Sequence, residues 1–411
     1  MLHIEVEDPV IVQRHHGELG PKESTHHYCT LGLTPQGTAI VFYAMHPDIG
    51  RPEEARVPVD VAGSTYPVYK FEPHRKDPDY PWPNEVVYAR SEDGGRSWSD
   101  PLPIEGRGCA AVGGRLLSFC HYLYHAESGV AVASLLESDD DGRTWVDRPG
   151  VLFRYPANLD PCLEDRFFAG ASSALNMENV GTPTTLADGS LLVFATAHKR
   201  AGDKVWWFPL LFSSTDGGYH FDFVSYPTGT QCPADHHGFT EPTLAQLANG
   251  DLLAVFRTEY HRPDRVLMQC RSSDGGQTWT EPIVAPGTPR HYPLRALQPI
   301  LNTGKTHGNA ASVSPALTVM PSGIAAMVYG RPGVHLTLSE DGSGSLWHER
   351  IPVVPEPSLF GHNCDGSAMA GIVSLGGSEL LMVYDVRNYR PADGGPAGNT
   401  VFSLRLHVER S

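Results

Sequence analysis

The stretch SEDGGRSW, residues 91–98, is the first of five copies of a short turn motif with the pattern Ser-x-Asp-x-Gly-x-x-Trp/Phe. The other copies are SDDDGRTW (Ser138 to Trp145), STDGGYHF (Ser214 to Phe221), SSDGGQTW (Ser272 to Trp279) and SEDGSGSLW (Ser339 to Trp347), the last with one extra residue before its Trp. Their aspartates are 47, 76, 58 and 67 residues apart. This spacing indicates a structural repeat with loops of variable length rather than a solenoid of fixed period.

The residue types of the turn motif are those of a hairpin tip. Asp bonds its own backbone and Gly accepts positive φ, while the aromatic ring packs back on the hairpin. An apolar stretch, a Gly-containing turn and a second apolar stretch precede each copy, for example TPTTLADGSLLVFAT (182–196) and EPTLAQLANGDLLAVFR (241–257). A sixth such unit, AGIVSLGGSELLMVYD (370–385), lacks the turn motif. Short β-rich runs separated by turn signals predict an all-β fold with six sheets.

The turn motifs are Asp boxes, and the chain resembles the sialidase (BNR-repeat) superfamily of β-propellers over essentially its whole length. The resemblance implies an all-β, six-bladed β-propeller formed by a single domain, residues 1–411, with a long insertion in blade one at about residues 47–84. We expect the opening strand, roughly Leu2 to Gln13, to complete the last blade, because a closed ring leaves fewer sheet edges exposed.

Composition limits the cellular compartment and the binding partners that are expected. The formal net charge of −16 argues against nucleic acid and anionic membranes as partners. No apolar segment approaches membrane-spanning length, and the N-terminus MLHIEVEDPV has no signal-peptide pattern. The seven cysteines show no paired spacing, which favours free thiols in a reducing compartment. We therefore expect a cytoplasmic protein, or a secreted one if a leader has been removed.

The starts of the first strands and the ends of the second strands lie on the propeller face opposite the turn motifs, and the resemblance implies an active site on that face. Aligning the blades on their Gly-containing turns places Glu241 at the start of the first strand of blade four, with Ser314 in blade five and Met369 in blade six at the equivalent position. At the end of the second strand, Arg257 of blade four aligns with Asp385 of blade six.

Blade four matches the sialidase pattern, whereas blades one and six depart from it. Sialidases hold a sialate carboxylate with three arginines and react through a Tyr nucleophile, an assisting Glu and an Asp acid/base. Here Glu241 matches the Glu and Arg257 matches the second arginine, whereas His27 stands at the first arginine and Met369 at the nucleophilic Tyr. A thioether cannot attack an anomeric carbon, so the usual retaining chemistry is not expected.

Three functional readings remain open. Hydrolysis needs two carboxyl groups, and the candidates are Glu241, Asp365, Asp385, Glu178 and the loop that contains Asp48 and Asp60. Elimination on a uronic acid sugar needs a cation, a base and an acid, roles that suit Arg257, His27, Tyr28 and His121. A third reading is a propeller that binds sugars without catalysis, with Trp82, Trp206 and Trp207 either lining a sugar platform or, for the latter two, packing in a strand of blade three.

The prediction from these observations is a hydrolase that cleaves a glycosidic bond in an acidic oligosaccharide, one containing sialic or uronic acid, without the usual Tyr nucleophile. The expected catalytic residues are Glu241, His27, Tyr28, His121 and Asp365. The expected substrate-binding residues are Arg257, Arg331, His362, Glu178 and Asp385. Adjacent histidines on a strand point to opposite faces, so we expect no bound metal, and no cofactor is implied.

Overall fold

The computed structural model of the protein describes the greater part of the chain. The described residues are 2–14, 29–45, 57–61, 64–68, 85–104, 106–119, 122–159, 174–176, 183–201, 204–231, 233, 238–258, 266–285, 313–330, 334–348, 351–354, 369–389 and 398–410. Within these ranges the only helical element is a single 3-10 turn, Ala157–Leu159. None of the described helices is long and apolar enough to cross a membrane.

The strands form six blades, as the sequence predicts. The chain opens with β1 (Leu2–Val6) and β2 (Val10–Arg14). Blade one and its inserted hairpin contain β3 (Thr30–Leu33), β4 (Ala39–Met45), the hairpin strands β5 (Val57–Val61) and β6 (Ser64–Val68), β7 (Glu85–Ser91) and β8 (Leu102–Pro103). Blade two contains β9 (Arg107–Val112), β10 (Arg115–Phe119), the additional strand β11 (Tyr122–Glu127), β12 (Val130–Ser138) and β13 (Val146–Arg154).

The remaining blades repeat this order of four antiparallel strands. Blade three contains the additional strand β14 (Ala174–Asn176), β15 (Thr184–Thr185), β16 (Leu191–Ala201), β17 (Lys204–Ser214) and β18 (His220–Ser225). Blade four contains β19 (Phe239–Gln246), β20 (Leu252–Thr258), β21 (Leu267–Ser272) and β22 (Ile283–Val284). Blade five contains β23 (Val313–Val319), β24 (Ala325–Gly330), β25 (Val334–Ser339) and β26 (Ile351–Val354). Blade six contains β27 (Ala370–Gly376), β28 (Glu379–Tyr389) and β29 (Gly398–Arg410).

The blades are arranged as a ring. The first strands β3, β9, β15, β19, β23 and β27 each contact the first strand of the next blade, and β27 returns to β3. The ring closes through both chain ends, because β1 and β2 pair antiparallel with β29 and complete blade six. The expectation that the opening strand joins the last blade is confirmed, with two short strands in place of one continuous strand.

Side chains that alternate in direction along the second strand of each blade form the hydrophobic cores between blades. Successive side chains of a strand point to opposite faces, so β20 sends Phe256 into a cluster shared with blade three and Val255 into a cluster shared with blade five. The other second strands follow the same rule, and six hydrophobic clusters of described residues each lie between two neighbouring blades. The second strands are apolar on both faces for this reason.

Blades two and three are joined by backbone as well as by side chains. β13 pairs parallel with β18, with Leu152 opposite His220, and β11 pairs with β14 between the two blades. An exposed ring, Tyr219, lies against Arg148, whose Cζ is 4.1 Å from the ring centroid. The two strand pairings join the blades into one continuous sheet of ten strands.

The turn motif is held by a compact set of hydrogen bonds. In the first copy, the Ser91 hydroxyl donates to Asp93 Oδ1 (2.8 Å) and accepts from the Gly95 N–H (2.7 Å). Asp93 also accepts from the Ser97 N–H (2.9 Å) and hydroxyl (2.6 Å). Gly95 has φ of 90°, which an L side chain rarely adopts, so glycine fits this position.

The Trp of the motif reaches the preceding blade. Trp98 Nε1 donates to Ser403 Oγ of blade six (2.9 Å), and that hydroxyl donates to the Gly95 carbonyl (2.9 Å). Trp279 makes the equivalent bond to Ser225 of blade three (3.0 Å). Each of these turns therefore fastens its own blade to its neighbour.

Replacing Ser403 by Ala is expected to destabilise the closure of the ring. The substitution removes both the acceptor of Trp98 and the donor to Gly95, and Ser403 is 1% exposed. Buried groups left without partners cost about 1–3 kcal/mol in unfolding free energy. Urea unfolding followed by Trp fluorescence measures the change, with the exposed Ser345→Ala as control. A Ser403→Ala variant as stable as the control variant would contradict the clamp role.

The acid stability of the protein should follow the aspartates of the turn motifs. Burial alone would raise the pKa of Asp93, but hydrogen bonds from Ser97, Ser91 and the Arg96 N–H lower it to about 2. A carboxyl whose pKa is lower in the folded than in the unfolded state stabilises the fold above pH ~4, and this contribution is lost as pH falls through the folded pKa.

Asp93→Asn should therefore differ most in stability from the wild type near pH 6, and the gap should narrow toward pH 2. At low pH, protonation of Asp93 in the wild type removes the negative charge that the substitution has already removed in the variant. Urea midpoints at several pH values measure the gap, and the exposed Asp100→Asn provides the control from the same blade. A gap that is constant with pH would show that the Asp93 charge does not stabilise the turn.

Candidate active site

Glu241 and Arg257 form an ion pair in blade four. Thr240 of β19 lies opposite Arg257 of β20, which brings the Glu241 carboxylate beside the guanidinium, and Arg257 Nη1 donates to Glu241 Oε1. The two side chains are 7% and 14% exposed, respectively. A charge as buried as this is costly without its partner. The two groups are therefore held together as a pair.

The pair lies on the face opposite the turn motifs. Strands of an antiparallel blade alternate in direction, so the start of the first strand and the end of the second strand share one edge, whereas the turn motifs follow the third strand. Glu241 is near the start of β19 and Arg257 near the end of β20. The structure thus places both residues on the face where the sequence predicts the site.

Glu241 and Ser314 share an unusual backbone conformation. Their φ values are 48° and 47°, in the left-handed region that residues other than glycine seldom occupy. In each case the strand pairing shifts register directly afterwards, as in a β-bulge, and a proline follows, Pro242 or Pro315. Bulges redirect side chains, and strained residues of this kind persist only where the surroundings hold them.

Ser314 binds the other oxygen of the Glu241 carboxylate. The Ser314 N–H donates to Glu241 Oε2 at 2.7 Å, and its hydroxyl lies 3.2 Å from the same oxygen. Blade five therefore supplies two donors to a carboxylate from blade four. With Arg257 on Oε1, both oxygens of Glu241 are held by described residues.

Met369 and Asp385 extend these contacts into blade six. The Met369 sulfur contacts the Ser314 hydroxyl, and the Met369 N–H donates to Asp385 Oδ1 at 3.4 Å. Met369 is 5% and Asp385 1% exposed, and Met369 packs on Val313. Met369, which the sequence resemblance predicts at the position of the sialidase nucleophile, is thus a buried thioether.

Cys29 continues the set at the edge of the described part of blade one. Burial, with Asp385 nearby as a second cause, raises the pKa of the Cys29 thiol well above its ordinary value. The thiol is therefore neutral near pH 7 and not poised as a nucleophile. From Arg257 to Cys29, the described groups follow one another from blade four through blades five and six to blade one.

Three of the predicted site residues, Glu241, Arg257 and Asp385, belong to this connected set. The other seven lie outside the described residues: His27, Tyr28, His121, Asp365, Arg331, His362 and Glu178. Among the described residues, no group of three or more His, Cys, Asp or Glu side chains is arranged to hold a metal ion.

Ser314 is a member of the site that the sequence reasoning did not select. Its alignment with Glu241 was the available signal, and the matching φ values confirm that equivalence. The sequence alone shows neither the positive φ nor the contact between blades, so the role of Ser314 emerges only from the structure.

Trp206 and Trp207 belong to strand β17, so of the two readings the strand of blade three is confirmed and the loop platform is wrong for this pair. Trp206 packs against the core between blades two and three, and its Nε1 donates to the Thr230 carbonyl at 3.1 Å. The Trp207 backbone forms a parallel bridge with Gly238. Trp82 lies outside the described residues.

Solved structures with the same fold cover nearly the whole chain. A protein of unknown function from Dyadobacter fermentans is 15% identical with a TM-score of 0.60, covering 99% of each chain. An α-L-arabinofuranosidase from Fusarium graminearum is 13% identical with a TM-score of 0.56, covering 98% of each chain. The NanB sialidase from Streptococcus pneumoniae is 10% identical with a TM-score of 0.56, covering 97% of this chain and 70% of the sialidase. Identities this low establish the fold alone.

The sequence itself identifies the family. No protein of curated function matches it. The family described as the BNR repeat-like domain matches residues 109–359, well over half of the chain. The repeated turns, the six blades and this match agree, and the chain belongs to the BNR repeat-like family.

Proposed function

We propose that the protein is a glycoside hydrolase whose reaction takes place on the face opposite the turn motifs, with Glu241 and Asp385 as its carboxyl groups. The observation that carries the proposal is Glu241, whose side chain is 7% exposed, whose backbone is strained and whose carboxylate is fixed by donors from two blades. Preorganised charged groups of this kind are typical of catalytic sites.

Two carboxyl groups on one face supply what hydrolysis of a glycosidic bond requires. One acts as acid toward the leaving oxygen, and the other acts as base or nucleophile. Glu241, held in its pair with Arg257, suits the role of base or nucleophile. Asp385 is the second carboxyl in the connected set, linked to Glu241 through Met369 and Ser314.

The known activities of similar folds support this reaction class. An α-L-arabinanase from Penicillium chrysogenum, solved with arabinobiose, covers 97% of this chain and 98% of its own, with a TM-score of 0.55 and 14% identity. Together with the arabinofuranosidase and the sialidase, it shows that this fold carries enzymes acting on sugars. A buried Met369 in place of the nucleophilic Tyr supports a mechanism different from that of sialidases.

We extend the proposal to an acidic oligosaccharide as the expected substrate, on the strength of the sequence resemblance. Arg257 is engaged with Glu241, so a substrate carboxylate needs a further cation, for which the sequence offers Arg331 and Arg295. A substrate panel therefore has to contain sialylated and uronate-containing oligosaccharides together with neutral arabino-oligosaccharides.

Incubation of the protein with this panel, followed by mass spectrometry of the products, tests the reaction class. Products that carry the added mass of water are the expected result. Unsaturated products without that mass would replace hydrolysis by elimination. The absence of product and of binding across the panel, with binding measured by calorimetry, would contradict the proposal, whereas binding without product would indicate a sugar-binding propeller.

Glu241→Gln should lower kcat on the cleaved substrate by at least about 100-fold, the usual effect of losing an acid–base group. Asp385→Asn should also lower kcat strongly. The control is Glu281→Gln, an exposed glutamate of the same blade. Circular dichroism and thermal unfolding of each variant separate loss of chemistry from loss of fold. Wild-type kcat in a folded Glu241→Gln protein would remove Glu241 from the mechanism.

A further inference from the structure

Blade five reproduces the backbone of blade four with a serine in place of the glutamate. Ser314 and Glu241 have φ values within one degree of each other, and each is followed by proline and a shift in register. The same local conformation that presents a carboxylate in blade four presents an N–H and a hydroxyl in blade five. Both donors go to Glu241 Oε2.

The Ser314 hydroxyl has one proton, and two of the neighbours that the structure describes can accept it in a hydrogen bond. One is Glu241 Oε2 and the other is the sulfur of Met369. A carboxylate oxygen is a much stronger acceptor than a thioether, so the proton goes to Glu241. The Met369 side chain then packs against the hydroxyl oxygen and keeps it facing the carboxylate.

Strain at Ser314 argues for a role beyond packing. Serine in the left-handed region costs free energy that glycine at the same position would avoid. Ser314 is 7% exposed, and its contacts with Glu241 and Met369 cross blade boundaries. The chain has Ser314 at a position that suits glycine, and the Ser314 hydroxyl contacts the Glu241 carboxylate.

We propose that Ser314 is a positioning residue, which fixes the orientation of the Glu241 carboxylate for the reaction. The inference rests on the proposed hydrolase function and deepens it, because it assigns the holding of the reacting carboxylate to blade five. In this arrangement Met369 is a packing partner of Ser314 and takes no part in bond making.

Three substitutions at one position separate positioning from stability. Ser314→Gly and Ser314→Ala both remove the hydroxyl and keep the N–H, and Gly adopts the φ of 47° without strain. Ser314→Thr keeps the hydroxyl but places a β-branched side chain at positive φ, which is the least favourable choice. Thermal stability is therefore expected to fall in the order Gly, Ala, Thr.

Activity should follow a different order. We expect kcat on the cleaved substrate of the panel to fall about 10- to 100-fold in both Gly and Ala, the effect of losing a hydrogen bond to a charged group. KM should change little, because the bond orients a reacting group. The Thr variant should keep kcat within about threefold of wild type despite its lower melting temperature, since it keeps that hydrogen bond.

The exposed Ser273→Ala of blade four is the control, and Glu241→Gln is measured alongside. Wild-type kcat in the Gly variant, or kcat that follows melting temperature across the series, would overturn the inference. If Thr does not fold, equal kcat in Gly and Ala despite different melting temperatures supports positioning, and recovery in Gly contradicts it. Loss of activity in Glu241→Gln with none in the Ser314 variants would sink this inference alone, whereas a fully active Glu241→Gln would sink the proposed role of Glu241 as well.

Discussion

Ring closure is the constraint on which the other contacts of this propeller depend. Each second strand is apolar on both faces, so every blade needs a neighbour on either side to bury it. Blade six covers one apolar face of blade one. It is complete because β29 pairs with β28 on one side and with the N-terminal strands on the other. The Trp98 bond to Ser403 fastens the same junction from the side of the turn motif.

The candidate site depends on closure in the same way, because no blade contains it alone. The Glu241 carboxylate comes from blade four, its second set of donors from blade five, and Asp385 from blade six. Glu241 and Ser314 lie near the starts of β19 and β23, and Asp385 lies within β28, and the cores between blades hold these strands in place. A scaffold of this kind can hold positive φ at Glu241 and Ser314 because the surrounding contacts over-determine the backbone.

The fold could be predicted from the sequence because its signals are local. The turn motif binds itself through residues four apart, and the apolar runs before it are short and similar in every blade. Part of the site was also predictable, since alignment of the blades brought out Glu241, Arg257 and Asp385. The contribution of Ser314 was not, because it depends on a bulge and on a contact between residues 73 positions apart. The strand placement of Trp206 stayed open in the sequence, because nothing local marks the length of β17.

Because β13 pairs with β18, the junction between blades two and three differs in kind from the junction between blades four and five. Strand pairing joins blades two and three into one sheet, whereas the strands described in blades four and five form separate sheets that pack through side chains. Sliding of packed side chains is easier than breaking a ladder of backbone bonds. Any widening of the ring to admit or release a ligand would therefore be borne by the softer junctions, including the one that Glu241 and Ser314 bridge.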